Sequence, residues 1–284
     1  MATDNKHQLI EQFIAAAFAE DIGDGDHTSL ACLPPNAQKK ARLLVKQNGV
    51  VAGVELALQI FNHIDPHLSV EVLIVDGTPI KKGDIVLTVA GAARSILTAE
   101  RLVLNCMQRM SGVATLTAQY VAAVAGTRAV ILDTRKTTPN FRYFEKWAVR
   151  LGGGQNHRFG LYDMVMIKDN HHDFCGGIAN AIRQTRQYLS DQQRDLRIEV
   201  EVRNLSELDE ALSVGQIDRI MLDNFDVPML RQAVERIAQR YETEASGGIT
   251  LDTIRAVAQT DVDYISVGAL THSYKSLDLS LKAY

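Results

Sequence analysis

The sequence predicts an α/β protein in two parts: an N-terminal α/β sandwich with an antiparallel sheet, then a TIM-like α/β barrel, complete or incomplete. Three observations support this prediction. The first third of the 284 residues contains short β-like runs separated by turn dipeptides. After a long helical pattern, buried strands and helices then alternate. Polar residues follow the strands of this second part, as in barrels whose active sites lie at the strand ends.

The first part begins with an amphipathic helical pattern at residues 9–20, which ends in a turn-rich run at 21–26. Short β-like runs follow, and residues 54–64 form a helical pattern between the first two of them. The runs are ARLLVKQNGVVAG, LSVEVLIV and DIVLTVAG. Turn dipeptides such as Asn48-Gly49 separate them, which is typical of an antiparallel sheet.

The second part begins with a long helical pattern at residues 95–124. Strands are then expected at 129–132, 164–167, 198–202, 220–222, 244–245 and 264–267. Helices are expected at 177–189, 205–214, 227–241 and 251–260. Alternation of short buried strands with helices is typical of a parallel sheet. With at least six such strands, a closed or nearly closed barrel is favoured over an open sheet.

These patterns predict a sandwich domain at residues 1–112, a catalytic barrel domain at 113–273, and a tail at 274–284 that packs back on the sandwich. No run approaches the roughly 18–20 apolar residues of a membrane helix. The first residues, MATDNKHQLIEQF, lack the apolar core of a secretory signal. The three cysteines have no CxxC spacing and are typical of reduced cytosolic thiols. We therefore expect a cytoplasmic protein without a membrane partner.

Charge is distributed unevenly along the chain. The formal net charge of −4 argues against general binding to nucleic acids or to membrane surfaces. The segment 128–158, in contrast, contains many cations and only Asp133 and Glu145 as acids. Its cations are Arg128, Arg135, Lys136, Arg142, Lys146, Arg150 and Arg158, with His157 beside them. This concentration indicates a local site for a multiply charged anion.

Polar or glycine-rich sequence directly follows five predicted strands. These segments are DTRKTTP at 133–139, KDNH at 168–171, DNF at 223–225, ASGGI at 245–249 and SVGA at 266–269. Because the carboxyl ends of barrel strands meet at one rim, the segments should line one mouth. Arg135 there can hold a planar carboxylate with two parallel hydrogen bonds, whereas Lys136 can act as a point charge on phosphate. A solvated turn before Pro139 is the alternative.

Two carboxylates and a glycine turn are further candidates. Glu199 and Glu201 lie on one face of their strand, and inside a barrel a charge there needs a partner or a cation. A half-exposed antiparallel strand is the alternative. The Ser-Gly-Gly run at 246–248, before a helix, resembles a phosphate cradle of bare backbone amides, although such a pair of glycines alone is more often a turn. With Gly268 ending the last strand, it matches the usual phosphate site of α/β barrels.

Together, these motifs resemble those of quinolinate phosphoribosyltransferases, also called carboxylating nicotinate-nucleotide pyrophosphorylases. The central block, at 133–171, is DTRKTTPNFRYFEKWAVRLGGGQNHRFGLYDMVMIKDNH. The resemblance continues in the expected order through EDIGDGDHTS, AERLVLNCMQRMSGVAT, IEVEV, IMLDNF, EASGGI and ISVGALTHS. It covers nearly the whole chain. One departure is the stretch 214–219, which is one residue longer than the family's usual form and belongs to a helix-to-strand loop at the barrel bottom.

The resemblance implies an enzyme of NAD biosynthesis, a pentosyltransferase that joins quinolinate to the phosphoribosyl group of phosphoribosyl pyrophosphate. Loss of carbon dioxide gives nicotinate mononucleotide and pyrophosphate, with Mg²⁺ as the cofactor. The resemblance also implies a sandwich domain joined to a barrel-like domain. It further implies a homodimer in which each active site takes residues from its neighbour, with Arg101 expected to reach in from the partner.

On this basis we assign roles to individual residues. The quinolinate carboxylates are expected on Arg135, His157, Arg158 and Lys168, with Arg101 of the second copy. Lys136, Glu201 and Asp223 are expected to be catalytic. Lys136 would contact phosphate or pyrophosphate, while Glu201 and Asp223 would face the ribose hydroxyls and, through the pyrophosphate, the magnesium. The 5-phosphate is expected on the backbone amides of Ser246, Gly247, Gly248, Gly268 and Ala269.

Three alternatives remain open. A related phosphoribosyltransferase acting on nicotinate would bind one carboxylate, whereas the number of cations favours two. A barrel lyase or epimerase of a sugar phosphate would share the phosphate cradle but would not need so many additional cations. Treating PIKKGDIVLTVAG as a lipoyl- or biotinyl-type hairpin would leave two thirds of the chain unexplained.

Overall fold

The computed structural model describes residues 3–284, with side chains described from residue 6 onward. The chain divides into two compact units, and each combines segments that are separated in the sequence. The first unit comprises the chain up to Leu116 together with Thr138–Gly152 and Tyr274–Tyr284. The second unit comprises Thr117–Thr137 and Gly153–Ser273.

The first unit contains an antiparallel sheet and helices. Its helices are α1 (Thr3–Ile22), α2 (His27–Cys32), α3 (Val54–Ile64), α4 (Ala93–Ala123), whose last residues belong to the second unit, and α5 (Arg142–Leu151). Its strands are β1 (Gln38–Val45), β2 (Gly49–Val50), β3 (Ser69–Val72), β4 (Pro79–Ile80), β5 (Ile85–Ala92) and β12 (Leu279–Ala283). Four of them form the sheet β12-β1-β5-β3, and β2 pairs with β4.

Alternating side chains explain the sheet of the first unit. Along β1, Ala41, Leu43 and Val45 are buried, and Leu43 lies opposite the buried Leu87 of β5. Every second residue of a strand faces the same side, so this spacing places one apolar face against the core. The last strand of the chain completes the sheet, because Leu281 of β12 pairs with Leu43.

The second unit alternates strands and helices. Its strands are β6 (Val130–Leu132), β7 (Val165–Ile167), β8 (Ile198–Val202), β9 (Arg219–Asp223), β10 (Glu242–Ser246) and β11 (Tyr264–Ser266). Its helices are α6 (Asp169–Cys175), α7 (Ile178–Asp191), α8 (Leu205–Val214), α9 (Val227–Ile237), α10 (Ile254–Ala258) and α11 (Ala269–His272). Among the helices of residues 3–284, none is long and apolar enough to cross a membrane.

All six strands of the second unit run parallel, in the order β6-β11-β10-β9-β8-β7. A TIM barrel has eight strands and closes on itself. Here β6 and β7 are the two edges of the sheet, and the described part of the chain contains no pairing between them. The predicted fold class is therefore confirmed, with the barrel in its incomplete form.

The register of the central strands brings their polar ends together. Glu201 of β8 lies opposite Met221 of β9, and Met221 lies opposite Glu244 of β10. Two residues further along, Asp223 lies opposite Ser246. Because side chains alternate between faces, these residues share the interior face of the sheet near its carboxyl edge.

Candidate active site

A cavity of about 870 Å³ opens at the carboxyl ends of the parallel strands, and residues of the second unit alone line it. Twelve of the thirteen residues assigned from the sequence line this cavity. They are Arg135, Lys136, His157, Arg158, Lys168, Glu201, Asp223, Ser246, Gly247, Gly248, Gly268 and Ala269. Segments that are more than a hundred residues apart in the sequence therefore meet at one place. Their individual roles stay predictions.

Arg101 is the assigned residue that lies elsewhere. It is an exposed residue of α4 in the first unit, where it lines a cleft that also contains Arg109 and Phe141. Its predicted contact is with the active site of a second copy of the chain. That contact stays a prediction.

Two guanidinium groups form a cationic wall of the cavity. The Nε atom of Arg135 is buried and has no hydrogen-bond partner among residues 3–284. The half-buried Arg158 donates from Nη1 to the carbonyl of Met164 at 3.1 Å. Burial and the neighbouring charge of Arg135 lower the pKa of the Arg158 guanidinium. Two neighbouring guanidinium groups, one of which has a donor without a protein partner, can bind carboxylate groups.

Lys168 and Glu201 form an ion pair at the cavity, with 3.2 Å between Nζ and Oε2. The lysine side chain is 46% exposed, whereas the glutamate side chain is 8% exposed. The lysine can therefore turn towards a ligand more easily than the glutamate can. The backbone of Lys168 is fixed, because its N–H donates to Nδ1 of His171 at 2.9 Å.

A buried aspartate connects the two basic segments. Asp133, directly after β6, is fully buried and accepts from the N–H of His157 at 2.9 Å and from Nδ2 of Asn156 at 2.6 Å. Arg135 lies two residues after this carboxylate, and Arg158 follows His157. The buried anion thus ties together the main-chain segments that carry the two arginines.

His157 lies at the floor of the cavity, between two buried carboxylates. Its Nε2 is 3.0 Å from Oε2 of Glu199 and 3.2 Å from Oε2 of Glu244. Its Nδ1 accepts a hydrogen bond from the N–H of Arg158 at 2.7 Å. Burial disfavours a charged ring, whereas the two nearby carboxylates favour one and raise the pKa of His157. A second ring proton would have to lie on Nδ1, where it would break the hydrogen bond from Arg158. Both ring nitrogens therefore contact protein groups already, so direct contact with a substrate would require a rearrangement.

The glycine turn after β10 is shaped by a close contact with β9. Gly247 has φ +98°, and a Cβ atom there would lie 2.2 Å from Oδ1 of Asn224. Asn224 itself has φ 56°, and its N–H donates to the carbonyl of Ser246 at 2.9 Å. Gly248 has φ +60° and open space where a Cβ would be. The turn therefore requires glycine and leaves its backbone accessible, as a phosphate cradle needs.

Lys136 lies beside the other glycine of the predicted phosphate site. A Cβ on Gly268 would lie 3.1 Å from Cδ of Lys136 and 3.0 Å from Nε2 of His272. The carbonyl of Lys136 accepts from Oγ1 of Thr271 at 2.9 Å. The main chain of this lysine is thus fixed while its ammonium group stays exposed, which suits binding of a mobile anionic group.

Oxygen ligands for a metal are present at the same cavity. Glu201 and Asp223 both line it, and Oδ2 of Asp223 accepts from Nδ2 of Asn224 at 2.7 Å. Carboxylate oxygens are the donors that Mg²⁺ prefers, usually together with substrate phosphates and water. The donor set at the cavity therefore fits the expected magnesium.

Several cavity residues were not assigned from the sequence. The polar ones are Thr134, Asp169, Asn170, Asn224, Glu244, Thr250, Ser266 and His272. Most of them directly adjoin assigned residues. They therefore lie in the segments that the sequence predicts at the strand ends, although the sequence did not identify them individually. Glu244 could have been found from the two-residue period, since it precedes Ser246 by two positions on the same strand.

Two family models match the chain, and together they cover almost all of it. The N-terminal domain model of quinolinate phosphoribosyl transferase matches residues 26–111. The C-terminal domain model of the same family matches residues 113–282.

Individual relatives agree with the family models. The chloroplastic nicotinate-nucleotide pyrophosphorylase [carboxylating] of Arabidopsis thaliana is 49% identical over 288 residues, covering 96% of this chain and 82% of that protein. A probable nicotinate-nucleotide pyrophosphorylase [carboxylating] of Bacillus subtilis is 41% identical, covering 97% and 93%. The crystal structure of NadC from Streptococcus pyogenes is similar with a TM-score of 0.91 and 42% identity, covering 96% of this chain and 95% of that chain.

Proposed function

The chain belongs to the quinolinate phosphoribosyltransferase family, and from this membership we propose how its residues carry out the family's reaction. The enzyme is a pentosyltransferase of NAD biosynthesis. It transfers the phosphoribosyl group of phosphoribosyl pyrophosphate to quinolinate, and it forms nicotinate mononucleotide, pyrophosphate and carbon dioxide. One observation carries the assignment of the site: a single cavity is lined both by the arginine pair and by the glycine turns.

Quinolinate binds at the cationic side of the cavity in this proposal. Arg135 and Arg158 each hold a carboxylate, and Lys168 adds a third positive charge. The unused Nε of Arg135 supports this role, because a buried donor without a partner costs free energy until a ligand satisfies it. The cations also offset the repulsion between a dianionic acceptor and a highly anionic donor.

Phosphoribosyl pyrophosphate binds across the glycine side. The amides of the 246–248 turn and of Gly268 and Ala269 hold the 5-phosphate, and Lys136 contacts the pyrophosphate. The positive φ values of Gly247 and Gly248 support this role, because they leave the main chain of the turn bare. Glu201 and Asp223 then lie between the two ends and face the ribose hydroxyls.

The transfer itself needs no nucleophilic side chain. The ring nitrogen of quinolinate forms a bond to the anomeric carbon, while the bond from that carbon to the pyrophosphate oxygen breaks. Positive charge develops on the ribose, and the carboxylates of Glu201 and Asp223 stabilise it. The glycosylated ring is cationic, so it accepts the electron pair released when the bond to the 2-carboxylate breaks. Carbon dioxide leaves, and a proton takes its place. Positioning and charge stabilisation supply most of the rate.

Magnesium is the proposed cofactor. Bound to the pyrophosphate, it would neutralise the charge of the leaving group. Glu201 and Asp223 would hold it indirectly, through the donor substrate. Their oxygen atoms support this proposal, since they are the ligand type that magnesium prefers.

A homodimer with shared active sites is the proposed assembly. Arg101 of one copy would contact quinolinate in the other. Its exposure on α4 supports this role, because an exposed arginine is available to a partner. Sedimentation velocity and mixing of an Arg101→Ala chain with an Arg135→Ala chain test it: partial recovery of activity in mixed dimers is expected, and no recovery would contradict sharing.

The cytoplasm is the proposed compartment. Cys32, Cys106 and Cys175 are all free thiols, as is usual where glutathione keeps thiols reduced. Cell fractionation followed by immunoblotting tests this proposal, and recovery of the protein in an organelle or outside the cell would contradict it.

One assay distinguishes the candidate reactions. Purified protein is incubated with phosphoribosyl pyrophosphate and Mg²⁺ and with quinolinate or nicotinate, while nucleotide, pyrophosphate and carbon dioxide are measured together. Quinolinate should give the three products in equal amounts. Faster nucleotide formation from nicotinate, without carbon dioxide, would favour the acceptor with one carboxylate. Absence of pyrophosphate release would favour a sugar-phosphate lyase or epimerase.

A further inference from the structure

A layer of charged side chains lies in the barrel interior at the cavity floor. We call it the charged layer; it consists of Glu199 on β8, Arg219 on β9, Glu244 on β10 and the ring of His157. Both glutamates are fully buried. Barrel interiors are usually filled by branched apolar side chains, and a buried ion pair is weak evidence for stability. The two glutamates have no role in the mechanism above, so the layer requires a separate explanation.

The contacts of the His157 ring determine its tautomer. A ring nitrogen that accepts a hydrogen bond carries no proton, and Nδ1 accepts from the N–H of Arg158 at 2.7 Å. The ring proton therefore lies on Nε2, between Glu199 at 3.0 Å and Glu244 at 3.2 Å. Both ring nitrogens thus lie against protein groups, and the ring cannot turn without losing contacts at both ends.

The two glutamates of the layer differ in their surroundings. Nη1 of Arg219 lies 2.9 Å from Oε2 of Glu244, so one carboxylate has a cationic partner. Burial alone would raise the pKa of Glu244, but the hydrogen bond from His157 and the charge of Arg219 hold it below its usual value. Burial and the charge of Glu244 raise the pKa of Glu199 to about 7. Glu244 is therefore the carboxylate of the layer that has a cationic partner.

The effect of the layer passes to the cavity through the main chain. The ring of His157 holds the amide of Arg158, and Asp133 holds the amide of His157 itself at 2.9 Å. Two successive amides are therefore fixed by buried acceptors. The second of them belongs to Arg158, whose guanidinium lies close enough to Arg135 to be affected by its charge.

We infer that Glu199 and Glu244 are positioning residues for the acceptor: they fix the ring of His157, and that ring fixes the main chain of Arg158. The inference rests on the proposed function, because it takes Arg158 to bind a quinolinate carboxylate. Neither glutamate needs to touch a substrate. Because the contacts of Glu199 and His157 lead to the main chain of Arg158 and not to the glycine turns that hold the donor, the layer acts on acceptor affinity and leaves donor affinity unchanged.

A metal ion held by the same three side chains would be the competing explanation. Ligand atoms of His157, Glu199 and Glu244 do lie within 4.8 Å of one another. However, the same oxygen of Glu244 contacts both His157 and the guanidinium of Arg219. The guanidinium of Arg219 therefore already occupies one side of this carboxylate, which disfavours a second cation beside it.

The test uses two substitutions of Glu199 in the full chain. Glu199→Met keeps the length of the side chain but removes both oxygens; Glu199→Gln keeps the shape of the protonated acid and an oxygen that accepts from His157. Glu199→Met should raise the KM for quinolinate on the order of tenfold, with the KM for phosphoribosyl pyrophosphate within about twofold of wild type. Glu199→Gln should restore the quinolinate KM to within about threefold of wild type. Equal changes in both KM values, or a Gln variant as impaired as the Met variant, would overturn the inference.

A double-mutant cycle shows whether Glu199 acts through His157. In a His157→Ala background, Glu199→Met should raise the quinolinate KM by less than about twofold, because the ring that transmits the effect is gone. Full additivity of the two substitutions would overturn the inference, since it would mean that Glu199 acts by another route.

A second variant keeps the test informative if Glu199→Met does not fold, as judged by circular dichroism. Glu244→Gln retains the shape of the side chain, and Arg219 keeps Glu242 as a partner at 3.0 Å. It should likewise raise the quinolinate KM while sparing that of the donor. If wild-type protein forms no nucleotide from quinolinate, the proposed function fails; if wild type turns over and neither variant alters the acceptor KM selectively, only the inference fails.

Discussion

The cavity rim and the charged layer beneath it are built from neighbouring positions of the same strands, yet their charges are satisfied in opposite ways. At the rim, Glu201 contacts a lysine whose side chain is 46% exposed. Two residues deeper on the same strand, Glu199 is fully buried and contacts His157. Rim groups keep donors and acceptors for ligands, whereas the charged groups of the layer lie against one another.

This difference shows how one strand can serve both binding and positioning. A two-residue step keeps the side chain on the interior face and moves it about 6–7 Å along the strand. At the rim, water lowers the free-energy cost of a charge that has no protein partner, and a bound substrate can offset the remaining cost. The glutamates of the layer are fully buried, so each charge there needs a protein partner. Substitutions at the rim should therefore reduce catalysis, whereas those in the layer should change geometry and stability.

Removal of Arg135 should give the largest effect on catalysis. Arg135→Ala severs a buried pair with a carboxylate, which should cost about 2–5 kcal/mol of transition-state binding. Steady-state kinetics with quinolinate should show this as a fall in kcat/KM, while thermal unfolding should change little, because Nε of Arg135 has no protein partner to lose among the described residues.

Arg128 provides a matched control at the opposite end of the same strand. It precedes β6, whereas Arg135 follows it, and Arg128 forms an exposed ion pair with Asp263. Arg128→Ala should leave kcat/KM within about twofold of wild type, since exposed pairs contribute little. Equal losses in the two variants would contradict the location of the site at the carboxyl edge.

The glycine turn provides a second contrast at the rim. Gly247→Ala would place a Cβ 2.2 Å from Oδ1 of Asn224, whereas Gly248→Ala would meet open space; both positions have positive φ. Gly248→Ala should lower the unfolding free energy by about 1 kcal/mol, the cost of placing a residue with a Cβ at positive φ. Gly247→Ala should lower it by about 1–3 kcal/mol more, because its Cβ also meets Asn224. Urea unfolding measures both, and kinetics should show a raised donor KM for Gly247→Ala. Equal losses in the two variants would show that the contact with Asn224 does not restrict the turn.

Much of the fold could be predicted because its signals are local. The alternation of buried strands and helices after residue 124 predicted a parallel barrel, and the six predicted strands correspond to β6 through β11. The incomplete closure could not be predicted in the same way. Whether β6 pairs with β7 depends on contacts between residues far apart in the sequence. The sequence of neither strand indicates that the strand lies at an unpaired edge.

Most of the cavity residues were predictable from one rule, that barrel strands end at a shared rim. His157 and Arg158 follow no predicted strand, and their assignment rested on the family resemblance. The charged layer was not predictable in this way, because it is defined by contacts between residues of different strands and not by position along one strand. The two-residue alternation of its strand predicts Glu199 as an interior carboxylate, whereas Glu244 lies in a run whose glycines indicate a phosphate site. That His157 turns towards these two acids, and not into the open cavity, follows from three-dimensional contacts alone.

The charged layer predicts a pH dependence of stability. Because the pKa of Glu199 is raised from 4.5 to about 7 by burial and by the charge of Glu244, the folded state binds a proton more tightly than the unfolded state. This contribution is complete below pH 4.5 and is lost as the pH rises through about 7. Wild type should therefore lose stability across this window relative to Glu199→Gln, whose side chain does not ionise. Urea unfolding of both proteins measures the difference, and parallel curves would contradict the contribution of the layer.

The smallest effect is expected from an ion pair that belongs to neither region. Arg203 contacts Asp173 at 2.9 Å and Glu207 at 2.7 Å, and these distances are as short as those in the charged layer. Its side chain is exposed, so water replaces the lost contacts when it is removed. Arg203→Ala should leave the urea midpoint and the turnover with quinolinate unchanged within error. A loss as large as that of Gly247→Ala would mean that distance, rather than burial, sets the value of a charge pair in this protein.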